Sequence, residues 1–445
     1  MHRVTFIIAA AIISVNTALA LPGSGTEADP WRIESLPDFD EFVGNANYWD
    51  DYIRLECDID LSGRTYENAV IAPDANNANL SFEGTPFTGV FDGNDNDITA
   101  LRIDDAGAGN DYLGLFGCLD GGEVRNLGLE GGSVSGDWCV GSIAGGNGDW
   151  TIPGGRIRNC HSNSDVTGQW CAGGLVGGNY GSVSDCYSTS ETSGDQGVGG
   201  LVGYNKRGSV SNCYSTGETG GDSGYGVGGL VGISDQGSIS DCYSTGATSG
   251  RTGIGGLVGA NDDGSVSNCY STGDVNINDW CAGGLIGQNW GSSAVSNSYS
   301  LGDVSGEEAV GGLVGGNWGS VSNGYSTGDV NGVEEIGGLV GVNYSGSVSN
   351  GFWDTGTQTH GVIYSIGAHQ EGTIINVAGL PTTQMQTSTS FVTAGWDFAE
   401  IWGIGEQQTY PFLRKHPAGE LNLDGRVDFR DLAILVRHWL EGAEQ

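Results

Sequence analysis

Residues 173 to 352 hold seven near-copies of one stretch of sequence. The clearest copy begins at Gly255-Gly256-Leu257-Val258-Gly259, passes through Asn261, and closes with Gly264-Ser265-Val266-Ser267-Asn268-Cys269-Tyr270-Ser271-Thr272-Gly273-Asp274-Val275. The last glycine of each GGLVG-type run falls at Gly177, Gly203, Gly232, Gly259, Gly287, Gly315 and Gly341, so the steps are 26, 29, 27, 28, 28 and 26 residues. A fixed period in this range marks a solenoid, because each unit is too small to bury a core alone and must stack on its neighbours.

Composition then decides which solenoid. The units are built of Gly, Ser, Thr, Val, Asn and Tyr, with no run of Ala, Leu, Glu or Lys long enough to nucleate a helix. Apolar residues come in short bursts such as Leu257-Val258 and Val266, each bounded by Gly or Asn, which reads as short strands joined by tight turns. About 27 residues suits one coil of three ~5-residue strands and three turns, with successive coils ~4.8 Å apart. The expected fold is therefore all-β: a right-handed parallel β-helix whose equivalent positions line up as columns. About nine coils make a rod on the order of 45 Å long.

The pattern GGLVG-x-N followed by GSVSNCYSTGDV resembles the GLUG motif, a repeat of bacterial secreted and surface proteins that include adhesins and the non-catalytic regions of immunoglobulin-cleaving proteases. Gly114-Leu115-Phe116-Gly117 and Gly141-Ser142-Ile143-Ala144-Gly145 resemble degenerate earlier copies. The resemblance implies a scaffold. It supplies no catalytic residues.

Three columns follow from the register. Cys160, Cys186, Cys213, Cys242 and Cys269 share one position, which Ser298, Gly324 and Gly351 take over further along. A column of small residues suits the inside of a tight coil, where a free thiol behaves as a small hydrophobe. Tyr187, Tyr214, Tyr243, Tyr270, Tyr299 and Tyr325, continued by Phe352, occupy the next position and so the opposite face. With the thiols inside, these aromatics form an outward ladder, which either binds sugar rings or partner side chains or stiffens the sheet by stacking on itself. Four residues beyond lie Asp165, Glu191, Glu218, Asp274, Asp303 and Asp329, interrupted by Ala247. These read either as solvated turns or as a calcium stripe, since like charges stacked this closely repel unless solvent or a cation intervenes. Cys139, Cys171 and Cys281 each follow a Trp, and the first two fall on adjacent coils where a disulfide is possible.

The ends differ from the array. His2 and Arg3 precede an apolar run from Phe6 to Val15, with Ala18-Leu19-Ala20 behind it, which reads as a secretory signal over residues 1–20. The chain is thus expected to be exported, to the extracellular space or the cell surface, without membrane insertion. Residues 21–112 read as an N-terminal cap and first coils, with the stretch from Pro22 to Ile33 covering the first coil and 37–48 helical in spacing. Residues 113–354 are the repeats. Residues 355–416, rich in aromatics without a period, read as a C-terminal cap that buries them on the last coil.

Residues 417–445 are different in kind. Glu420, Asn422, Asp424, Asp428 and Asp431 stand at positions 1, 3, 5, 9 and 12 of a twelve-residue loop, with Gly425 at position 6 and the carbonyl of Arg426 at position 7. This is the spacing of a calcium loop, where a hard cation takes six to eight oxygens and glycine permits the sharp turn. Leu432, Leu435, Val436 and Trp439 then fall on one helical face. The segment resembles one half of a type I dockerin. That resemblance implies Ca2+ as cofactor and a cohesin-like or cell-surface protein as partner, although position 1 is Glu420 where the family has Asp and only one of two loop-helix units is present.

Charge and motifs narrow the function. The chain has 16 Lys and Arg against 54 Asp and Glu, a formal charge of -38, which repels nucleic acid and anionic polymers and attracts cations. The repeats hold only Lys206, Arg207 and Arg251 as bases, no His is followed by Glu as a zinc-protease helix requires, and neither GxSxG nor a P-loop occurs. The expectation is a non-catalytic binding scaffold. The alternative is a polysaccharide-processing component, either a carbohydrate binder or a weak lyase or hydrolase.

Overall fold

The computed structural model describes residues 20–76, 79–221 and 225–415. Residues 1–19, read from the sequence as most of a secretory signal, and residues 416–445, which include the expected calcium loop, lie outside the described residues. The rest is a parallel β-solenoid. One sheet holds ten parallel strands on consecutive rungs, running from Phe116–Leu119 to Ile366–His369; the two rungs before them, at Trp31–Ile33 and Tyr52–Leu55, give it no strand. The remaining strands of each coil join a thirty-stranded sheet. Repeat positions pair in register, as Val231 with Val258 and Tyr214 with Tyr243 show. From residue 116 onward these ten rungs are one more than the nine or so coils that the sequence suggests from about residue 111.

The recurrent sequence builds each coil for identifiable reasons. Leu and Val of GGLVG are fully buried, as at Leu257 and Val258. At the next residue the two sheets meet backbone to backbone: a Cβ on Gly259 would stand 2.5 Å from the carbonyl carbon of Gly226 and the amide nitrogen of Val227. Two residues on, Asn147, Asn179 and Asn205, and again Asn261, Asn289, Asn317 and Asn343, are fully buried. Each side-chain amide within these two groups donates to the next Asn oxygen at 2.7 to 3.0 Å. This ladder satisfies polar groups that burial would otherwise penalise. Ser234 interrupts it and leaves the Asn261 side-chain oxygen buried without a hydrogen bond among the described residues.

A second ladder turns the opposite corner. The Asn or Asp before each column cysteine, Asn159, Asp185, Asn212, Asp241 and Asn268, has φ of 52 to 56°. These are the non-glycine residues that best tolerate a left-handed conformation. The column cysteines are inside as expected, all at most 1% exposed. Burial pushes the thiols of Cys186, Cys242 and Cys269 well above the usual range. All ten cysteines are free, so the Cys139–Cys171 disulfide is not formed; the two buried thiols interact, and the hydrogen bond to Cys171 holds Cys139 in its neutral form.

The two ends are built differently. Trp31–Ile33 does not cover the first coil: it pairs in parallel with Ile53–Leu55 and is itself part of the first rung. The cover is the helix Leu36–Gly44, whose Phe39 and Phe42 are completely buried. The aperiodic segment after Leu380 does not close the other end. Its buried Met385, Phe391, Trp396, Trp402 and Leu413 pack along the flank of the rod, against Tyr299, Tyr325 and Phe352 on three consecutive coils.

Candidate functional site

The tyrosine column is a continuous stack. Ring centroids from Tyr187 to Tyr325 are 4.8 to 5.0 Å apart, with interplanar angles of 3 to 8°. His161 extends it by one ring, 4.9 Å and 9° from Tyr187. The spacing is the rung repeat itself, so parallel in-register strands impose the stack. Because each ring is stacked on its neighbours, the ladder offers solvent mainly ring edges and hydroxyls. That disfavours sugars stacking face-on along it.

Nor is the ladder uniformly outward. Tyr187 and Tyr214 are half-buried, whereas Tyr299 and Tyr325 are covered by the flank segment, at 6% and 1% exposure. The Tyr325 hydroxyl donates to the Pro411 carbonyl at 2.6 Å, and Trp402 lies within 6.2 Å of both Tyr299 and Tyr325. Burial raises the phenol pKa along the column, to about 12 at Tyr214 and well above the ordinary value at Tyr299 and Tyr325. These phenols are therefore neutral donors. At the open end His161 faces Glu130 at 3.1 Å and Asp97 at 3.7 Å.

The acidic column forms turns that neutralise themselves in part. Asp165, Asp274 and Asp303 each accept from the backbone N–H of the acidic residue one coil further on, at 3.4, 3.0 and 2.8 Å. Asp329 accepts from Thr359 and contacts His360, and these bonds hold its carboxyl below the usual value despite the opposing effect of burial. Asp165, Asp274, Asp303 and Asp329 thus each accept from a donor on the following coil. Among the described residues no group of three or more His, Cys, Asp or Glu is placed to hold a metal ion. The calcium-loop residues Glu420, Asn422, Asp424, Arg426, Asp428 and Asp431 lie outside the described residues.

One aromatic cluster escaped the sequence reading. Trp290 and Trp318 stack at 3.7 Å and 9°, Trp318 and Tyr344 at 4.3 Å and 12°, and Trp280 meets Trp318 edge-on. All four are partly exposed. Beside them runs a shallow groove of about 280 Å³ lined by Ser292, Trp318, Ser320, Ser345, Ser347 and Thr373 among others. The available signal was the residue after the ladder asparagine, aromatic in Asn289-Trp290, Asn317-Trp318 and Asn343-Tyr344.

Comparison with known proteins agrees with the repeat. Over 128 residues, 28% of this chain, it is 38% identical to halomucin of Haloquadratum walsbyi. Over 133 residues, 29% of this chain, it is 35% identical to a protein of Evansella cellulosilytica described as a Gly-rich membrane protein. The matches span 1% and 11% of those relatives' lengths. A crystal structure of a Bacteroides ovatus protein described as an immunoglobulin A1 protease aligns over 88% of this chain and 94% of that one, with 21% identity and a TM-score of 0.39. The GLUG motif itself is found seven times, at residues 136–167, 168–193, 194–219, 223–249, 250–276, 278–305 and 306–331, and the chain is a β-solenoid built on these seven GLUG repeats.

Proposed function

We propose that this protein is an exported, non-catalytic scaffold that displays repeated rows of side chains to an extracellular partner and is attached through the calcium loop at 420–431. The observation that carries the reading is the columnar surface. Tyrosine edges, carboxylates and left-handed Asn or Asp residues recur at one spacing over many rungs, a multivalent surface suited to adhesion. Likeness to a halomucin and to a Gly-rich membrane protein supports a surface or extracellular setting. Among the described residues no helix is long and apolar enough to cross a membrane.

The second reading, a polysaccharide-binding or polysaccharide-processing component, is favoured by the Trp280, Trp290, Trp318 and Tyr344 cluster beside its Ser-lined groove. Aromatic surface next to hydroxyls suits an uncharged glycan, while the net charge disfavours an acidic one. A glycan array run together with assays for released reducing sugar and unsaturated uronide separates the readings. The scaffold reading expects no turnover, and measurable turnover rejects it. Glycan binding that Trp318→Ala abolishes without turnover supports a carbohydrate binder. For attachment, calcium titrated calorimetrically into the full chain is expected to give heat that disappears when Asp424→Ala and Asp431→Ala are combined; equal heat from that variant rejects the loop as the site.

A further inference from the structure

The flank position of the segment after Leu380 leaves the C-terminal end of the rod open. The last rung consists of Ile366–His369 and Thr373–Leu380, and each pairs on one side only, with Val340–Asn343 and Ser347–Asp354. Their other edges have no strand partner among the described residues. The same end exposes apolar side chains that the rest of the rod buries: Ile363 at 73%, Tyr364 at 64%, Ile374 at 41% and Ile375 at 57%. Natural sheets usually protect such an edge with charge, proline or a covering element. Thr373–Leu380 contains neither charge nor proline.

We infer that this edge docks a second copy of the same chain, tail to tail about a two-fold axis, by antiparallel pairing of Thr373–Leu380 with itself. Three observations select that occupant. First, the strand is complementary to itself. With Thr373 opposite Leu380, Ile374 meets Gly379 and Ile375 meets Ala378, so both isoleucines face small residues, while Asn376 meets Val377. Second, charge permits it. In a chain of 54 acidic and 16 basic residues, two copies approach most easily along an uncharged strand, and in this register the two Glu371 residues fall beyond opposite ends of the pairing. Third, the other end is closed by the helix Leu36–Gly44, which blocks head-to-tail addition and limits assembly to a closed pair. Asn376 sits at the centre of the pairing. Its side-chain amide donates to Asn350 at 3.1 Å, and its Oδ1 has no donor among the described residues, so it can accept from the mate.

Lys415 pairs with Asp241 at 2.9 Å, five rungs back from Asn376 in the left-handed column, so the chain leaves the described region about 24 Å from the open edge.

The test is sedimentation velocity of the full mature chain over a wide dilution series, with hydrogen exchange read on residues 373–380. The expected result is a monomer–dimer equilibrium in which protection of 373–380 rises with the dimer fraction. Ile375→Lys, which brings a new charge to an already exposed position, should weaken association about tenfold or more and leave the thermal midpoint nearly unchanged. A monomer at every concentration overturns the inference. So does a dimer that Ile375→Lys leaves intact, or protection of 373–380 in the monomer, which would show that the chain covers its own edge.

Discussion

At Asn261 a fully buried side-chain oxygen has no hydrogen bond among the described residues, because the preceding rung offers Ser234 instead of asparagine. Ser234→Asn should rejoin the two halves of the ladder, Asn205 donating to residue 234 and residue 234 donating to Asn261. Net gains for such bonds cluster near 1 kcal/mol, so urea unfolding is expected to show a stabilisation of about that size. A loss instead would mean that the corner has no room for the longer side chain. Asp111 is a second residue with a measurable signature. Burial, reinforced by the charge of Asp137, raises its carboxyl pKa from 3.8 to about 7. The folded state therefore favours the protonated acid, and this contribution is fully present below the ordinary pKa and lost as pH rises through about 7. Asp111→Asn should flatten the decline in stability between those limits, measured by unfolding at several pH values in that window. Single residues also show what a sequence hides. The asparagine of GGLVG-x-N was visible as a repeat, but its burial depends on the hydrogen-bonded row that only the stacked rungs create.

At the scale of elements, the array was legible and its cover was not. Period, strand character, the inward thiols and the opposite-facing tyrosines all follow from alternation and in-register stacking, which a single coil determines for its neighbours. Residues 382–413 carry no period, so nothing in them sets a register against the rod. They fall within the 355–416 stretch that the sequence reads as a cap on the last coil, whereas they lie along the tyrosine ladder and bury Tyr299, Tyr325 and Phe352. The ladder accordingly has two regimes. Tyr299→Ala should cost about 3–5 kcal/mol, as for a large buried aromatic, because it opens a cavity under Trp402. Tyr187→Ala, half-exposed and stacked between His161 and Tyr214, should cost only about 1 kcal/mol. Thermal unfolding of the two variants side by side checks this, and equal losses would refute the division of the column. The Trp290–Trp318–Tyr344 stack was missed because its aromatics enter late in the array, after positions that hold Lys206, Asp235 and Asp262 in earlier coils.

The whole molecule is a rod whose length, surface rows and open end all follow from one claim, that each repeat adds one rung. Spin labels on an outward column measure this directly. Ser182, Ser265, Ser320 and Ser347 occupy equivalent positions, linked by the parallel registers of successive coils. Cysteines introduced there can be labelled in a Cys57→Ser background, since Cys57 alone among the ten native cysteines is not buried. Backbone separations from residue 182 are expected to grow in proportion to rung number at ~4.8 Å each, to about 14, 24 and 29 Å at residues 265, 320 and 347. Distances that rise and then fall, as around a ring of blades, or that grow by roughly 10 Å per repeat, as in stacked helices, would contradict the account.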